Sequence, residues 1–236
     1  MKKLMMMVAM TVATVSAKAQ FEPGTWSIQP KIGGVVATMT NVPDISLDKE
    51  SNSFKNVKLD NTATAGFTIG GEFEYQISKH FSLAAGLGYS LQGSGWEDYK
   101  FKDGDDKFEI KDMKLELGYI TAPIVANVYL FKGFAIKAGV QFGYLTNANQ
   151  KGTMEMSGKD WSFKSDESES IMDNCNKWDV AIPLGISYQI PTIPIVIDGR
   201  MNLGLTDIFK KDVLEAGQKN SQNVLFQLTV GYKFKL

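Results

Sequence analysis

The stretch FAIKAGVQFGY, Phe134 to Tyr144, decides the fold. Phe134, Ile136, Ala138, Val140, Phe142 and Tyr144 alternate with Ala135, Lys137, Gly139, Gln141 and Gly143. A strict period of two over eleven positions is the pattern of a strand with one apolar face, and a helix cannot sort these residues onto one side. The same alternation recurs outward in both directions. Towards the N-terminus it runs through FSLAAGLGYSLQ (Phe81 to Gln92), FTIGGEFEY (Phe67 to Tyr75) and, less regularly, Trp26 to Thr38. Towards the C-terminus it runs through WDVAIPLGISYQI (Trp178 to Ile190), IVIDGRMNLGL (Ile195 to Leu205) and NVLFQLTVGYKFKL (Asn223 to Leu236). The stretch Met113 to Leu130 completes eight.

The connections alternate in length. Residues 77–80, 131–133 and 191–194 are tight; 39–64, 93–112, 146–177 and 206–222 are long and polar. An even strand count with tight turns on one side and long loops on the other is the signature of a barrel that spans a membrane. A lipocalin-like barrel, apolar inside, has the same alternation. Two features separate them. The polar face is mostly Gly, Ala, Ser, Thr and Gln, which fit a lumen just wide enough to be filled by side chains. The apolar face carries aromatics at both strand ends. Phe73, Tyr75, Phe81, Phe134, Tyr188, Tyr232 and Phe234 lie near the tight turns, and Phe67, Tyr89, Tyr119, Phe142, Tyr144, Trp178 and Phe226 near the long loops. Two aromatic girdles around an aliphatic band match two lipid–water interfaces. The expected fold is therefore all-β: an eight-stranded antiparallel transmembrane β-barrel with four long extracellular loops and three short periplasmic turns.

The N-terminus agrees with export. A basic start (Lys2, Lys3), an apolar run from Leu4 to Val15 and the small-x-small triplet Ala17-Lys18-Ala19 read as a signal peptide, residues 1–19, leaving a barrel domain over 20–236. The apolar run is too short for a spanning helix. Cys175 is the one cysteine, so no intramolecular disulfide forms; it is expected as an exposed or loosely packed thiol of the third long loop. A formal net charge of −1 gives no reason to expect nucleic acid as a partner.

The face assignment turns eleven charges inward: Lys31, Glu72, Glu74, Lys114, Glu116, Lys137, Asp179, Asp198, Arg200, Lys233 and Lys235. Unpaired charges in so narrow a space are very costly, so a hydrogen-bonded ion-pair network filling the lumen is expected. The competing reading, a gated ion path, suits wider barrels better. Pro123 sits inside a strand pattern that should exclude it. Apolar residues fall on odd positions before it (Leu115, Leu117, Tyr119) and on even positions after it (Ile124, Ala126, Val128, Leu130). That switch predicts a one-residue bulge between Thr121 and Pro123, with Asn127 inward.

Chemistry is sparse. Nucleophilic hydrolysis needs a base, usually histidine, and the lone His80 lies in the tight turn Ser78-Lys79-His80 with no second group to form a triad. The acidic stretch KDGDDKFEIKD, Lys102 to Asp112, has the carboxylates that calcium favours but not the spacing of an EF-hand loop, and reads as a solvated tip turning at Asp103-Gly104. GGVVATMTN and GLGYSLQGSG lack the strand–loop–helix context of a phosphate cradle. No cofactor and no catalytic residue is expected.

Four segments carry a family resemblance: GLGYSLQGSGW (Gly86 to Trp96), YITAPIVANVY (Tyr119 to Tyr129), IDGRMNLGLTDI (Ile197 to Ile208) and LTVGYKFKL (Leu228 to Leu236). The chain resembles the PorT-like small outer-membrane barrels of Bacteroidota, the outer membrane protein β-barrel domain. Met201 stands where an aromatic is usual, and the chain ends in Leu rather than Phe. The resemblance implies a monomeric barrel in outer-membrane lipid, with an envelope role or one accessory to protein export through partners at its loops. Small-solute or ion transport is the alternative, and a lipid-modifying enzyme is third.

Overall fold

In the computed structural model, residues 22–41, 60–214 and 219–236 are described. The leader expected over Met1 to Ala19 and most of the first long loop lie outside them. Twelve strands follow in chain order: β1 (Trp26–Met39), β2 (Asn61–Thr62), β3 (Thr64–Ser78), β4 (Phe81–Trp96), β5 (Tyr99–Asp103), β6 (Asp106–Phe131), β7 (Phe134–Gly158), β8 (Trp161–Ser170), β9 (Trp178–Gln189), β10 (Ile195–Gly204), β11 (Asn223–Tyr232) and β12 (Phe234–Lys235). Eight of them form a closed ring in the order β1-β3-β4-β6-β7-β9-β10-β11. Every neighbour is antiparallel, and β1 closes on β11 from Lys31 opposite Gly231 to Met39 opposite Asn223. Closure leaves the ring without an edge, so its ladder groups pair within the wall.

The faces follow the alternation. Ile32, Ile69, Leu87, Ile124, Ile136, Ile186, Leu228 and Val230 are exposed on the outside. Aromatics pair on that surface at both rims: Trp26 with Tyr75, Phe131 with Phe134 and Tyr232 with Phe234 near the tight turns, Phe67 with Tyr89 and Tyr144 with Trp178 at the other rim. Inside lie Ser27, Gln29, Thr68, Ser82, Gln141, Asn202, Gln227 and Thr229, all buried. The two-residue turn Lys132-Gly133 between β6 and β7 needs glycine. Gly133 has φ +73°, and a Cβ there would sit 2.0 Å from the Gln189 carbonyl oxygen.

The proline in β6 is held differently from the expectation. There is no bulge at Thr121 to Pro123: β6 pairs with β7 without interruption from Tyr119 opposite Leu145 to Tyr129 opposite Ala135. Odd positions face inward throughout, so Leu115, Leu117 and Tyr119 are buried inside with Thr121, Val125, Asn127 and Tyr129. On its other side β6 loses its ladder to β4 between Ile124 (opposite Ala85) and Thr121 (opposite Gly88), then resumes in the same register. The gap falls at Gly86, where an added Cβ would lie 3.2 Å from the Pro123 ring. A missing N–H and a missing side chain thus face each other, which lets proline enter a closed sheet without a bulge. Pro183 of β9 repeats the device: its ladder to β7 lapses between Leu184 (opposite Ala138) and Ala181 (opposite Gln141), the interval holding Gly139.

The face switches occur elsewhere. Gly118 pairs with Asn147 and Tyr119 with Leu145, so Thr146 is the extra residue, and it lies on β7. A second irregularity in β6 lies between Lys111 and Lys114, where Asp112 takes φ +54°. Above these points β6 and β7 do not break into polar loops. They continue as strands flanked by β5 and β8, giving a four-stranded sheet that projects past the barrel rim. The second and third connections are therefore largely strand. Their charged residues mask the alternation, because one face of the projecting sheet carries Lys and Glu.

Leu228 sits halfway along β11, opposite Gly34 and Gly199. Leu228→Arg is expected to cost about 2–4 kcal/mol in reversible unfolding from phospholipid vesicles, the penalty of a cation at the bilayer midplane. A change under about 0.5 kcal/mol, the range of ordinary surface substitutions, would mean that this face does not meet hydrocarbon.

Candidate functional site

The lumen is the one place where charged side chains converge in numbers within the ring. Period-two geometry puts Glu72 and Glu74 of β3, and Asp198 and Arg200 of β10, on the same inner face of their strands. At mid-height the Arg200 guanidinium, 1% exposed, bridges two carboxylates. Its Nη1 donates to Glu72 Oε1 at 2.8 Å and its Nη2 to Glu72 Oε2 at 3.3 Å. Its Nε donates to Asp198 Oδ1 at 3.1 Å and its Nη2 to Asp198 Oδ2 at 3.0 Å. This is the planar fork that suits guanidinium to two carboxylates at once. Lys137 Nζ donates to Asp198 Oδ2 at 2.5 Å, and Lys31 Nζ to Glu72 Oε1 at 2.5 Å. Three cations thus hold two anions.

Towards the tight turns Glu74 anchors a second group. Its Oε1 accepts from Ser82 Oγ at 2.7 Å and from the Tyr129 hydroxyl, and Lys233 Nζ lies 2.7 Å from its Oε2. Asn127 Nδ2 donates to Ser82 Oγ at 2.9 Å. Towards the other rim Asp179 Oδ1 accepts from Thr206 Oγ1 at 3.0 Å and Asn223 Nδ2 at 3.2 Å. Among the described residues, the voids between these groups include one of about 20 Å³ beside Lys31 and Arg200 and one of about 10 Å³ beside Asp179 and Asn202. A void needs about 10–15 Å³ to hold one water. Among the described residues, the side chains of the Arg200 and Glu74 groups occupy the middle of the lumen and leave room there for single waters.

Above Asp179 an apolar cluster seals the barrel: Met39, Leu115, Leu117, Tyr119, Leu145, Ala148, Cys175 and Ile208. Cys175 is 0% exposed, not loosely packed, and burial pushes its thiol up to about 11. The backbone brings it there: Cys175 bridges to Phe209, and Asn176 donates from its backbone N–H to the Ile208 carbonyl at 2.8 Å.

Of the eleven charges placed inward from sequence, eight stand in the lumen: Lys31, Glu72, Glu74, Lys137, Asp179, Asp198, Arg200 and Lys233. Lys114 and Glu116 do not. With Leu115 and Leu117 turned inward to build the seal, their neighbours point out, where Glu116 meets Lys114 at 3.0 Å and Lys151 at 2.5 Å. Lys235 is exposed at the chain end. Ser82, Asn127, Tyr129, Thr206 and Asn223 complete the network; Ser82 and Asn127 were readable from alternation, but the pairing of Tyr129 with Glu74 was not. His80 is exposed in its turn. In the acidic stretch, Lys102 to Asp112, Glu109 and Glu155 hold Lys111 above the ordinary lysine range, so part of the carboxylate charge is already matched.

Residues 18–210 match the family model described as outer membrane protein beta-barrel domain. No curated protein matches the chain. Among solved structures, the chain is similar to Ail, the attachment invasion locus protein of Yersinia pestis, at 16% identity over 90% of this chain and 99% of that one, TM-score 0.42. It is similar to Neisserial surface protein A at 12% identity, covering 89% and 97%, TM-score 0.41. It is also similar to OprG from Pseudomonas aeruginosa at 9% identity, covering 93% and 99%, TM-score 0.39.

Two tests follow from the site. Arg200→Met leaves two buried carboxylates short of their main partner and is expected to cost about 3–5 kcal/mol of unfolding free energy. Lys31→Met leaves two anions facing two cations and is expected to cost less; equal losses would show that charge balance does not govern the lumen. Cys175 is expected to react with a thiol reagent at pH 8 only after denaturation, because the thiolate is the reactive form. Stoichiometric labelling of the folded barrel would contradict its burial.

Proposed function

The chain belongs to the outer membrane protein β-barrel domain family, which makes it an integral outer-membrane protein, and from that premise we propose that it acts as a non-enzymatic envelope barrel whose working surface is the sheet beyond the rim. The observation that carries this reading is the filled lumen. The Arg200, Glu72 and Asp198 bridge lies across its middle, and the cluster around Leu117 and Cys175 lies across its mouth. What remains for function is the outside of the protruding hairpins. The residues that carry the PorT-like resemblance favour a role accessory to protein export, with envelope or secretion proteins as partners. The chain is exported with Met1 to Ala19 removed, works as a monomer in outer-membrane lipid, and has its tight turns in the periplasm.

Transport is the second reading, and the two small voids flanking Thr121 and Gln141 are what favours it. Single-channel recording separates the two. Purified barrel reconstituted in planar bilayers is expected to give no steady ohmic steps in 1 M KCl. Reproducible unitary steps, abolished by substitutions that enlarge side chains at Gln141, would overturn the filled-lumen reading in favour of transport.

A further inference from the structure

The projecting sheet is two-faced. Directly opposite residues in antiparallel strands share a face, so the ladders assign its sides. Tyr99 and Phe101 of β5 stand opposite Ile110 and Phe108 of β6, which stand opposite Met154 and Met156 of β7. Met156 in turn faces Phe163 of β8, and Gly158 faces Trp161. The other side is charged, with Glu109, Lys111, Glu155, Lys164 and Asp166 in one chain of ion pairs.

The outer margin of this sheet is β8. It pairs with β7 along all ten residues, from Trp161 opposite Gly158 to Ser170 opposite Asn149, and with no other strand among the described residues. An edge of this length presents a row of backbone donors and acceptors to any extended chain. Its guard is one of charge alone: WSFKSDESES has no proline and no bulge interrupts its ladder, but Asp166, Glu167 and Glu169 outnumber Lys164, which is drawn to Glu155 and Asp166, so the edge repels acidic strands and leaves basic ones free to pair. On its apolar side β8 carries Trp161 and Phe163, about half exposed, then Ser165, then Glu167 and Glu169. Beside these two carboxylates is a cavity of about 210 Å³ lined in part by Ile110, Met113, Met154, Glu167, Glu169 and Lys151, whose ammonium is paired with Glu116. An apolar floor with a carboxylate rim suits the aliphatic stem and charged head of a lysine or arginine.

We propose that β8 binds an extended, basic segment of a partner protein, which adds to the sheet as a further antiparallel strand. Pairing across the new ladder sets the pattern of the partner. Two basic residues, two apart, stand opposite Glu169 and Glu167; four residues further on, two aromatic or branched residues, two apart, stand opposite Phe163 and Trp161. A second copy of this chain is a poor occupant. Antiparallel pairing of two β8 strands about Ser165 sets Phe163 against Glu167 and Trp161 against Glu169, and three acids against one lysine make the two edges repel.

This inference rests on the reading of the barrel as an interaction protein, and the two are tested separately. Full-length barrel in lipid nanodiscs is titrated against a fluorescent nonapeptide with Arg at positions 1 and 3 and Val or Tyr at 7 and 9. Saturable binding is expected, weakening as salt rises. Glu167→Lys with Glu169→Lys should lower the affinity at least tenfold and should bind instead a peptide with Glu at positions 1 and 3. Both side chains are exposed, so unchanged tryptophan fluorescence is expected to show that the variant folds. Binding unaffected by charge reversal, equal binding of a peptide with the basic and apolar positions exchanged, or β8-dependent dimers in analytical ultracentrifugation would each overturn the proposal. If the peptide fails while bilayers stay silent, the edge assignment falls and the interaction reading stands. Unitary conductance steps overturn that reading whatever the peptide does.

Discussion

In hydrocarbon an unpaired backbone amide costs several kcal/mol, and that constraint orders everything else in this barrel. Pairing β1 with β11 closes the ring. Closure at eight strands fixes a lumen about one layer of side chains wide. A lumen that narrow cannot hold bulk water around ionised groups, so each inward charge must find a partner within the wall. Arg200 is the piece that makes this possible at mid-height. Its rigid fork meets Glu72 across the lumen and Asp198 on its own strand, and Lys31 and Lys137 complete the set. Glu74 is satisfied in the same manner one step nearer the tight turns.

The same constraint explains the prolines and the missing disulfide. A closed barrel has no edge strand in which to place Pro123 or Pro183. Each instead stands where one ladder lapses, beside a glycine, while the ladder on its other side persists. With the sheet closed and the lumen filled, covalent staples are not needed. Cys175 is left to act as a small apolar residue in the seal beneath the loops.

Much of this was legible in the alternation of FAIKAGVQFGY and its seven counterparts: the strand count, the closed antiparallel class and the faces of β7 and β9. The sequence around Leu115, Leu117 and Tyr119 misled for a definite reason. Period two tells that these residues share a face but not which one, and an apolar set was taken to face lipid. At the rim the interior is itself apolar, because Met39, Cys175 and Ile208 arrive there from distant segments. That reversal moved Lys114 and Glu116 outward and removed the need for a bulge at Pro123. The true switch, at Thr146, leaves a weak trace in sequence, since small and polar residues surround it. The projecting sheet was hidden for a related reason: its charged face, with Lys111, Glu155 and Asp166, made strands resemble polar loops. Its aromatic face, spread over four strands, becomes visible only when the ladders align it.

The central claim is that the charges in the lumen act as one bonded unit. A double-mutant cycle on Arg200→Met and Glu72→Gln, read by reversible unfolding in lipid vesicles, measures this directly. Residues in one such network show interaction energies of about 0.5–3 kcal/mol, and a value in the upper part of that range is predicted here, with the double variant losing far less than the sum of the single variants. Strict additivity would show that Arg200 and Glu72 are each solvated independently, and would contradict the account of a filled lumen.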